Sequence, residues 1–164
     1  MGDVEIRPPR AEEYAAAGEV TVQAYKADGH LADDVGYDAT LRDVARRVEA
    51  AEVLVAVDGA GEVIGTVTVV RPGSEYAEIS RPGELEFRML AVAPSARGRG
   101  VGEALVRAVL DRARALGLRK VVLSSADRMR SAHRLYERLG FTRLAERDWR
   151  PFPHIVLIAY QIDV

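Results

Sequence analysis

Apolar residues recur along the chain with two different spacings, which predict strands in one place and helices in another. A spacing of two, or a short unbroken apolar run, indicates a strand, whereas a spacing of three and four indicates a helix. The clearest helix covers residues 101–116 and is followed by Gly117, at the position where glycine commonly ends a helix. The predicted strands are residues 4–7, 52–57, 63–70, 84–93, 120–124, 141–146 and 154–162, and the predicted helices are residues 11–26, 39–50, 101–116 and 129–139.

The order of these elements predicts the fold class. A strand and two helices come first, three consecutive strands follow, and helices then alternate with strands. This order is typical of an α/β (α+β) layer in which helices flank a mixed, mostly antiparallel sheet. The chain shows no internal repeat and no linker long enough to divide it. Residues 1–164 are therefore predicted to form a single domain.

Composition excludes several kinds of protein. The 164 residues include no cysteine, which rules out disulfides, thiolate metal sites and cysteine nucleophiles. Hydrophobic residues make up 48% and charged residues 29%, as in a globular rather than a disordered protein. No apolar run approaches the roughly 20 residues that span a bilayer, and the acidic N-terminus is unlike a signal peptide. We therefore expect a cytoplasmic protein with no membrane partner.

The two halves of the chain carry opposite charge. Residues 1–86 hold 18 acidic and 8 basic residues, a balance of −10, and residues 87–164 hold 7 acidic and 15 basic residues, a balance of +8. This asymmetry predicts that one region meets an anion and another meets a cation, although chance clustering gives the same count. The arginines are spread over helices and loops without interleaved aromatic residues, so we expect no nucleic-acid partner.

A glycine-rich segment precedes the clearest helix and reads Arg97-Gly98-Arg99-Gly100-Val101-Gly102. Glycines let the backbone approach a ligand, and the N–H groups that begin a helix lie at the positive end of its dipole. Two arginines add charge, so the segment predicts a phosphate or pyrophosphate site. Neither the Walker pattern nor the dinucleotide pattern GxGxxG fits. A tight connection that needs glycine only for steric reasons is the alternative.

The glycine-rich segment resembles the Q/R-x-x-G-x-G/A pyrophosphate loop of the GCN5-related N-acetyltransferase (GNAT) superfamily. The run before it, Leu90-Ala91-Val92-Ala93-Pro94, is similar to the strand that leads into that loop. Downstream, Ala132-His133-Arg134-Leu135-Tyr136-Glu137-Arg138-Leu139-Gly140-Phe141 resembles the family's A-x-x-LYe-x-lGF helix. The element order over residues 4–162 also fits the family's fold, so the resemblance covers nearly the whole chain.

The resemblance implies acetyl-CoA as co-substrate and no metal. The backbone of Leu90, Ala91 and Val92 would pair with the pantetheine arm, where the strand splays from its neighbour. The basic balance of the second half fits a ligand with about four negative charges. The N–H groups implied to hold the pyrophosphate are those of Arg97, Gly98, Arg99, Gly100, Val101 and Gly102.

The family's reaction is direct attack of an amine on the thioester, so the resemblance implies an oxyanion donor, an acid and a base. The oxyanion donor is the Val92 N–H. The acid is Tyr136, since a phenol can protonate a thiolate; the alternative is a packing role in the core. The base is Glu86, directly or through water, with Glu84 as its substitute. The alternative for Glu86 is a solvated strand end paired with Arg88.

Histidines are weaker candidates, and two positions depart from the family pattern. His133 shares a helix face with charged residues and is predicted to be solvated, while His30 or His154 could touch an acceptor. No histidine pair has metal-ligand spacing. Met129 replaces an asparagine seven residues before the tyrosine. Ser124 stands where ribosomal-protein N-terminal acetyltransferases carry a glutamate base, so that subgroup is not favoured.

The resemblance implies a small-molecule or peptide amine as acceptor. The family builds its acceptor site from the first two helices, their connecting loop and the last two strands. Here those elements supply an acidic loop with Asp28, Asp33 and Asp34, and the segment 148–153 with Trp149. Carboxylates beside an aromatic side chain would suit a cationic amine. A surface loop with a packed tryptophan is the alternative.

Two classes of function stay open. The first is an acetyl-CoA-dependent N-acetyltransferase, and the second is a non-catalytic acetyl-CoA-binding domain on the same fold. Turnover with any amine separates them. Members of the family are often homodimers, and the apolar run 155–160 could serve such an interface or the core.

Overall fold

The computed structural model describes residues 4–29 and 36–164. The chain forms two compact units: Met1–Val69 with Met89–Ala108, called the first unit, and Val70–Arg88 with Val109–Val164, called the second unit. The strands are β1 (Glu5–Arg7), β2 (Glu52–Val57), β3 (Val63–Val70), β4 (Glu84–Val92), β5 (Lys120–Ala126), β6 (Thr142–Arg143), β7 (Trp149–Phe152) and β8 (Ile155–Asp163). The helices are α1 (Tyr14–Ala27), α2 (Tyr37–Arg42), α3 (Val44–Ala50), α4 (Val101–Ala115) and α5 (Arg130–Arg138).

The described residues confirm the predicted fold class. They form a mixed α/β structure with five α-helices and an eight-stranded, mostly antiparallel sheet. Within these residues, no helix is both long enough and apolar enough to cross a membrane.

In the first unit, helices pack on one face of an antiparallel sheet. Strand β1 pairs with β2 and β2 pairs with β3, both antiparallel. Val53, Val55 and Val57 point to the same face of β2 because side chains alternate along a strand. They form a buried cluster with Ala17 of α1 and Val44 of α3. The apolar residues that are spaced two apart in the sequence of β2 therefore form the inner face of this sheet.

A glycine in β3 determines how closely α4 approaches the sheet of the first unit. A Cβ atom on Gly65 would lie 2.9 Å from Val101 Cγ1 and 3.0 Å from Leu105 Cδ1, closer than side-chain atoms normally come. The absence of a side chain at Gly65 therefore lets the first turns of α4 pack directly against the strand. This packing fixes the start of the helix that follows the glycine-rich segment.

In the second unit, β8 is an interior strand. The first part of β4 pairs parallel with β5, and β5 pairs antiparallel with β8. Strands β6 and β7 pair with the other edge of β8. Among the described residues, no edge of β8 is therefore free to extend the sheet into another copy of the chain. Ala159 of β8 is buried with Val122 and Leu144, whereas residues 155–158 are half-buried, so both roles of this apolar run stay predictions.

Strand β4 is regular at its start and irregular before its end. Its parallel ladder with β5 comprises three residue pairs, the last at Glu86. Three residues later Met89 has a φ of +56°, in the left-handed region that favours glycine and is strained for other residues. The Met89 side chain is buried with Val22 and Leu41, and this packing holds the backbone there. The irregularity lies immediately before the segment Leu90–Val92.

Three element predictions are wrong in detail. The helix predicted over 39–50 is divided at Asp43, whose side chain accepts a hydrogen bond from the Arg46 N–H (3.2 Å) and caps α3. The strand predicted over 141–146 is reduced to β6, because a 3-10 turn occupies Ala145–Arg147. Strand β7 is missing from the prediction, since its residues include a proline and a charged residue and read as a loop.

Candidate active site

The glycine-rich segment forms an exposed turn that leads into α4, in the first unit. Gly98 and Gly100 have φ angles of +79° and +75°, which glycine adopts without strain. Residues 97–100 are exposed and α4 begins at Val101. The glycines at these two positions therefore have a conformational role.

The start of α4 presents backbone N–H groups that the helix does not use. The first helical hydrogen bond runs from the Ala104 N–H to the Gly100 carbonyl (3.0 Å). The N–H groups of Val101, Gly102 and Glu103 precede that bond and lie at the positive end of the helix dipole. An anion such as a phosphate can accept hydrogen bonds from such groups.

The Arg97 side chain is engaged within the protein. Its guanidinium pairs with the Asp28 carboxylate (2.7 and 3.1 Å) and donates to the Ala24 carbonyl (3.4 Å) at the end of α1. Much of the charge expected from Arg97 is therefore balanced by Asp28. Conversely, Asp28 is engaged by an arginine rather than free for a cationic acceptor. The other predicted residues of the acidic loop, His30, Asp33 and Asp34, lie outside the described residues.

Tyr136 lies in an aromatic cluster of the second unit. Its ring is 5.8 Å from Phe87, 5.7 Å from Phe141 and 5.8 Å from Tyr160, and 4% of the residue is exposed. Burial raises the pKa of the Tyr136 hydroxyl well above its usual range, with a smaller contribution from Tyr160. The side chain thus has the packing role that the sequence left open, and it keeps its proton at neutral pH.

Glu86 is fully buried on the first part of β4. Its carboxylate accepts hydrogen bonds from the backbone N–H groups of Glu78 (3.0 Å), Ile79 (3.2 Å) and Ser80 (3.0 Å). The alternative of a solvated strand end paired with Arg88 is therefore wrong. Glu86 instead binds the backbone of residues 78–80, which belong to the connection between β3 and β4. Its role as a base stays a prediction.

Glu84, the alternative candidate for the base, forms an ion pair with Arg147. Its two oxygens lie 2.5 and 2.9 Å from the two terminal nitrogens of Arg147, and Oε1 also accepts from the Arg81 N–H (2.9 Å). Burial acts to raise the pKa of Glu84, but the hydrogen bonds from Arg147 and Arg81 outweigh it, so the pKa lies below its usual value. Such a carboxylate is a poor proton acceptor.

Glu86 and Tyr136 lie on opposite faces of β4. Neighbouring residues of a strand project to opposite sides, and Phe87 is the residue that contacts Tyr136. The Glu86 carboxylate therefore points away from Tyr136. The predicted donor residues, Leu90–Val92 and 97–102, belong to the first unit instead.

A carboxylate that the sequence analysis missed lies beside Glu86. The Glu78 Oε1 atom is 3.2 Å from Arg88 Nε and accepts a hydrogen bond from the Ser124 hydroxyl (3.2 Å). Burial raises the pKa of Glu78, the Arg88 charge lowers it and the Glu86 charge raises it, with a net upward shift. The connection before β4 has no periodic pattern, so no signal in the sequence distinguishes Glu78 from Glu75.

Ser124 and Met129, the two residues that depart from the family pattern, both form side-chain hydrogen bonds. The Ser124 hydroxyl donates to Glu78 and lies 3.4 Å from the Trp149 Nε1–H donor. The Met129 sulfur accepts a hydrogen bond from the Ser125 hydroxyl (3.7 Å) just before α5. Ser124 thus brings Glu78 and Trp149 to one place on β5.

The prediction that His133 is solvated is wrong. His133 is 8% exposed, its Nε2 atom lies 3.2 Å from Ser125 Oγ and 3.1 Å from the Ala126 carbonyl, and its ring is 5.5 Å from Tyr160. Residues three apart share a helix face, so His133 lies on the buried face with Tyr136. His154 stacks on Phe152, with ring centroids 6.1 Å apart.

Folding stability is expected to depend on the protonation of His133. Burial lowers the pKa of His133, against a smaller opposing effect of the Ala126 carbonyl. A lowered pKa means that stability is complete above the unfolded-state pKa of about 6.5 and falls as the pH drops toward the folded-state pKa. Urea unfolding between about pH 7.5 and 5.5 should show this loss in the wild type and in His154→Gln, but not in His133→Gln. Equal pH dependence in all three proteins would contradict the assignment.

No metal centre is apparent in the described residues, where no group of three or more His, Asp or Glu side chains is arranged to hold an ion.

Comparison with known proteins agrees with the motifs. The model of the acetyltransferase (GNAT) family matches residues 19–141, which confirms the resemblance and the acyltransferase class that it implied. A mycothiol acetyltransferase of Geodermatophilus obscurus is 39% identical over 85 residues, which are 48% of this chain and 28% of that protein. The chain thus matches less than a third of that relative's length.

Solved structures show the same fold. A GNAT acetyltransferase of Staphylococcus aureus Mu50 superposes with a TM-score of 0.78 at 15% identity, covering 98% of this chain and 99% of that one. The yncA protein of Salmonella typhimurium, solved with its cofactor acetyl-CoA, superposes with a TM-score of 0.68 at 23% identity, covering 98% and 94% of the two chains.

Proposed function

Because the chain belongs to the acetyltransferase (GNAT) family, we propose that it transfers an acetyl group from acetyl-CoA to a primary amine. The observation that carries this proposal is the exposed turn at Gly98 and Gly100, which ends at the unused N–H groups of α4. Pyrophosphate is the part of CoA that such a turn would bind.

The donor would be held by two segments of the first unit. The N–H groups of residues 97–102 would bind the pyrophosphate, and the backbone of Leu90, Ala91 and Val92 would pair with the pantetheine arm. The strained φ of Met89 supports this assignment, because this backbone irregularity lies in β4 just before those three residues. The Val92 N–H would then stabilise the oxyanion.

The reaction needs no covalent intermediate on the protein. The amine nitrogen bonds to the acetyl carbonyl carbon, the carbon–sulfur bond breaks, and the thiolate takes a proton. Tyr136, the acid that the family motif implies, would supply that proton from its hydroxyl. A base on the opposite face of β4, in the region of Glu86, would receive the first proton that the acceptor ammonium loses. The second proton that the nitrogen loses on attack would restore the Tyr136 hydroxyl. The proposed acceptor is a small-molecule or peptide amine.

A thermal melt with and without acetyl-CoA tests the donor. At about 100 times its dissociation constant a ligand stabilises by about 2.7 kcal/mol, which should raise the melting temperature by roughly 5–10 °C at this length. CoA should act similarly, and NAD and ATP should not. No rise at saturating acetyl-CoA would contradict the proposal. A rise without thiol release from any amine would favour a non-catalytic acetyl-CoA-binding domain; the chain contributes no thiol of its own.

A further inference from the structure

Glu78 lies where the parallel pairing of β4 and β5 stops. The ladder pairs Glu84 with Lys120 and ends with Glu86 opposite Val122. Two residues further along each strand, the next positions on the same face are Arg88 and Ser124. There the Glu78 Oε1 atom is 3.2 Å from Arg88 Nε and 3.2 Å from the Ser124 hydroxyl. A side chain from outside both strands therefore bridges them where their own hydrogen bonds end.

The connection that carries Glu78 is held by hydrogen bonds from several side chains. Glu86 accepts the N–H groups of residues 78–80. Arg147 donates to the Ile79 carbonyl (3.1 Å) while it pairs with Glu84, and Arg88 donates to the Tyr76 carbonyl (3.2 Å). Four charged side chains thus position one carboxylate, a degree of preorganisation typical of reacting groups.

Access distinguishes Glu78 from the two carboxylates named by the resemblance. Glu84 is 3% exposed and Glu86 is fully buried, whereas the Glu78 side chain is 17% exposed. Within the described part of the chain, the Glu78 Oε2 atom accepts no hydrogen bond. Of the three, Glu78 is therefore the most accessible carboxylate to an incoming ammonium group.

We propose that Glu78 binds the ammonium group of the acceptor and takes its proton, with Ser124 and Trp149 lining the same site and Glu86 positioning the Glu78 connection. This assignment rests on the proposed acetyl transfer. The ammonium loses one proton to Glu78, which releases it to water. The neutral nitrogen then attacks the thioester carbonyl, and the second proton that it loses replaces the one that Tyr136 gives to the sulfur.

The surroundings of Glu78 make its carboxylate a better proton acceptor than an ordinary glutamate. Burial is the main cause that raises the pKa of Glu78; on β4, the Arg88 charge lowers this pKa and the Glu86 charge raises it. Ser124 is its neutral partner on β5, and the charge of Arg147 is paired with Glu84. A carboxylate whose pKa is raised accepts a proton more readily than an ion-paired carboxylate whose pKa is lowered, such as Glu84.

The test is thiol release from acetyl-CoA with tyramine, spermidine and a lysine-containing peptide, measured against pH for the wild type, Glu78→Gln and Glu78→Asp. In Glu78→Gln we expect kcat/KM to fall by about 10²–10⁴-fold. In the same variant, the pH at which kcat/KM rises should shift upward to the pKa of the amine itself, about 10. Glu78→Asp should retain part of the rate and the wild-type pH dependence. Glu75→Gln, an exposed carboxylate of the same connection, should behave as the wild type.

The outcomes separate this assignment from the proposed function. Wild-type turnover with an unchanged rate and pH dependence in Glu78→Gln would overturn the role of Glu78 and leave the acetyltransferase activity standing. No thiol release by the wild type with any of the three amines would overturn both. The melting temperature of each variant, with and without acetyl-CoA, shows whether the fold and the donor site are intact. If Glu78→Asp loses as much rate as Glu78→Gln, the result would also contradict the proposed role of the Glu78 carboxylate.

Discussion

Replacement of Tyr136 by phenylalanine is expected to lower kcat by about 10²–10⁴-fold, the usual contribution of a general acid, while acetyl-CoA binds as before. Phenylalanine keeps the ring that packs against Phe87, Phe141 and Tyr160. Only the hydroxyl is lost, and burial keeps that hydroxyl protonated in the wild type. Thiol release gives kcat, and calorimetric titration with acetyl-CoA gives the dissociation constant.

The matched control for Tyr136 is Tyr160→Phe. Tyr160 belongs to the same aromatic cluster, but its hydroxyl donates to the Glu137 carboxylate (3.2 Å). Loss of that hydroxyl should leave kcat unchanged. If Tyr136→Phe also leaves kcat unchanged, Tyr136 has only the packing role, and another group must protonate the thiolate.

Replacement of Glu84 by alanine is expected to lower the free energy of unfolding by about 3–5 kcal/mol, because it leaves the Arg147 guanidinium buried without its carboxylate. The side chains of Glu84 and Arg147 are 4% and 11% exposed, so water cannot take the place of the lost partner. At this chain length the melting temperature should fall by roughly 10 °C. Urea unfolding at neutral pH measures the change.

Two further variants test the interpretation of the Glu84 pair. Asp111→Asn removes one partner of an exposed pair, in which Asp111 is 79% and Arg114 is 55% exposed, and should cost at most about 0.5 kcal/mol. The double variant Glu84→Leu, Arg147→Met removes both buried charges and should be more stable than Glu84→Ala. A loss below about 1 kcal/mol in Glu84→Ala would show that the ion pair is not important for folding.

The glycine-rich turn before α4 and the helices could be predicted because their signals are local. Glycines that require a positive φ, the apolar stripe of α4 and the motif that contains Tyr136 all lie within one turn or one helix. Short-range spacing decides such features, and tertiary contacts rarely override a strongly periodic helix. The helix predicted at 39–50 failed at Asp43 for an equally local reason, the cap that its side chain forms.

The surroundings of the buried carboxylates and of His133 could not be predicted in the same way. Glu84 is paired with an arginine 63 residues away, and Glu78 reaches a serine 46 residues away. His133 looked solvated because its neighbours in sequence are charged, yet the end of β5 covers it. Met89 has a positive φ although it is not a glycine, so the residue type at this position does not predict the irregularity.

The sequence by itself determined the family, the fold class and the position of the glycine turn before α4, since each depends on residues close together along the chain. Only the tertiary structure decided which of three neighbouring carboxylates is paired, which is buried and which is accessible. The physical reason is that the charge state and reach of a carboxylate depend on the hydrogen-bond donors, charges and burial around it. For Glu78, Glu84 and Glu86 these surroundings come from segments that only folding brings together.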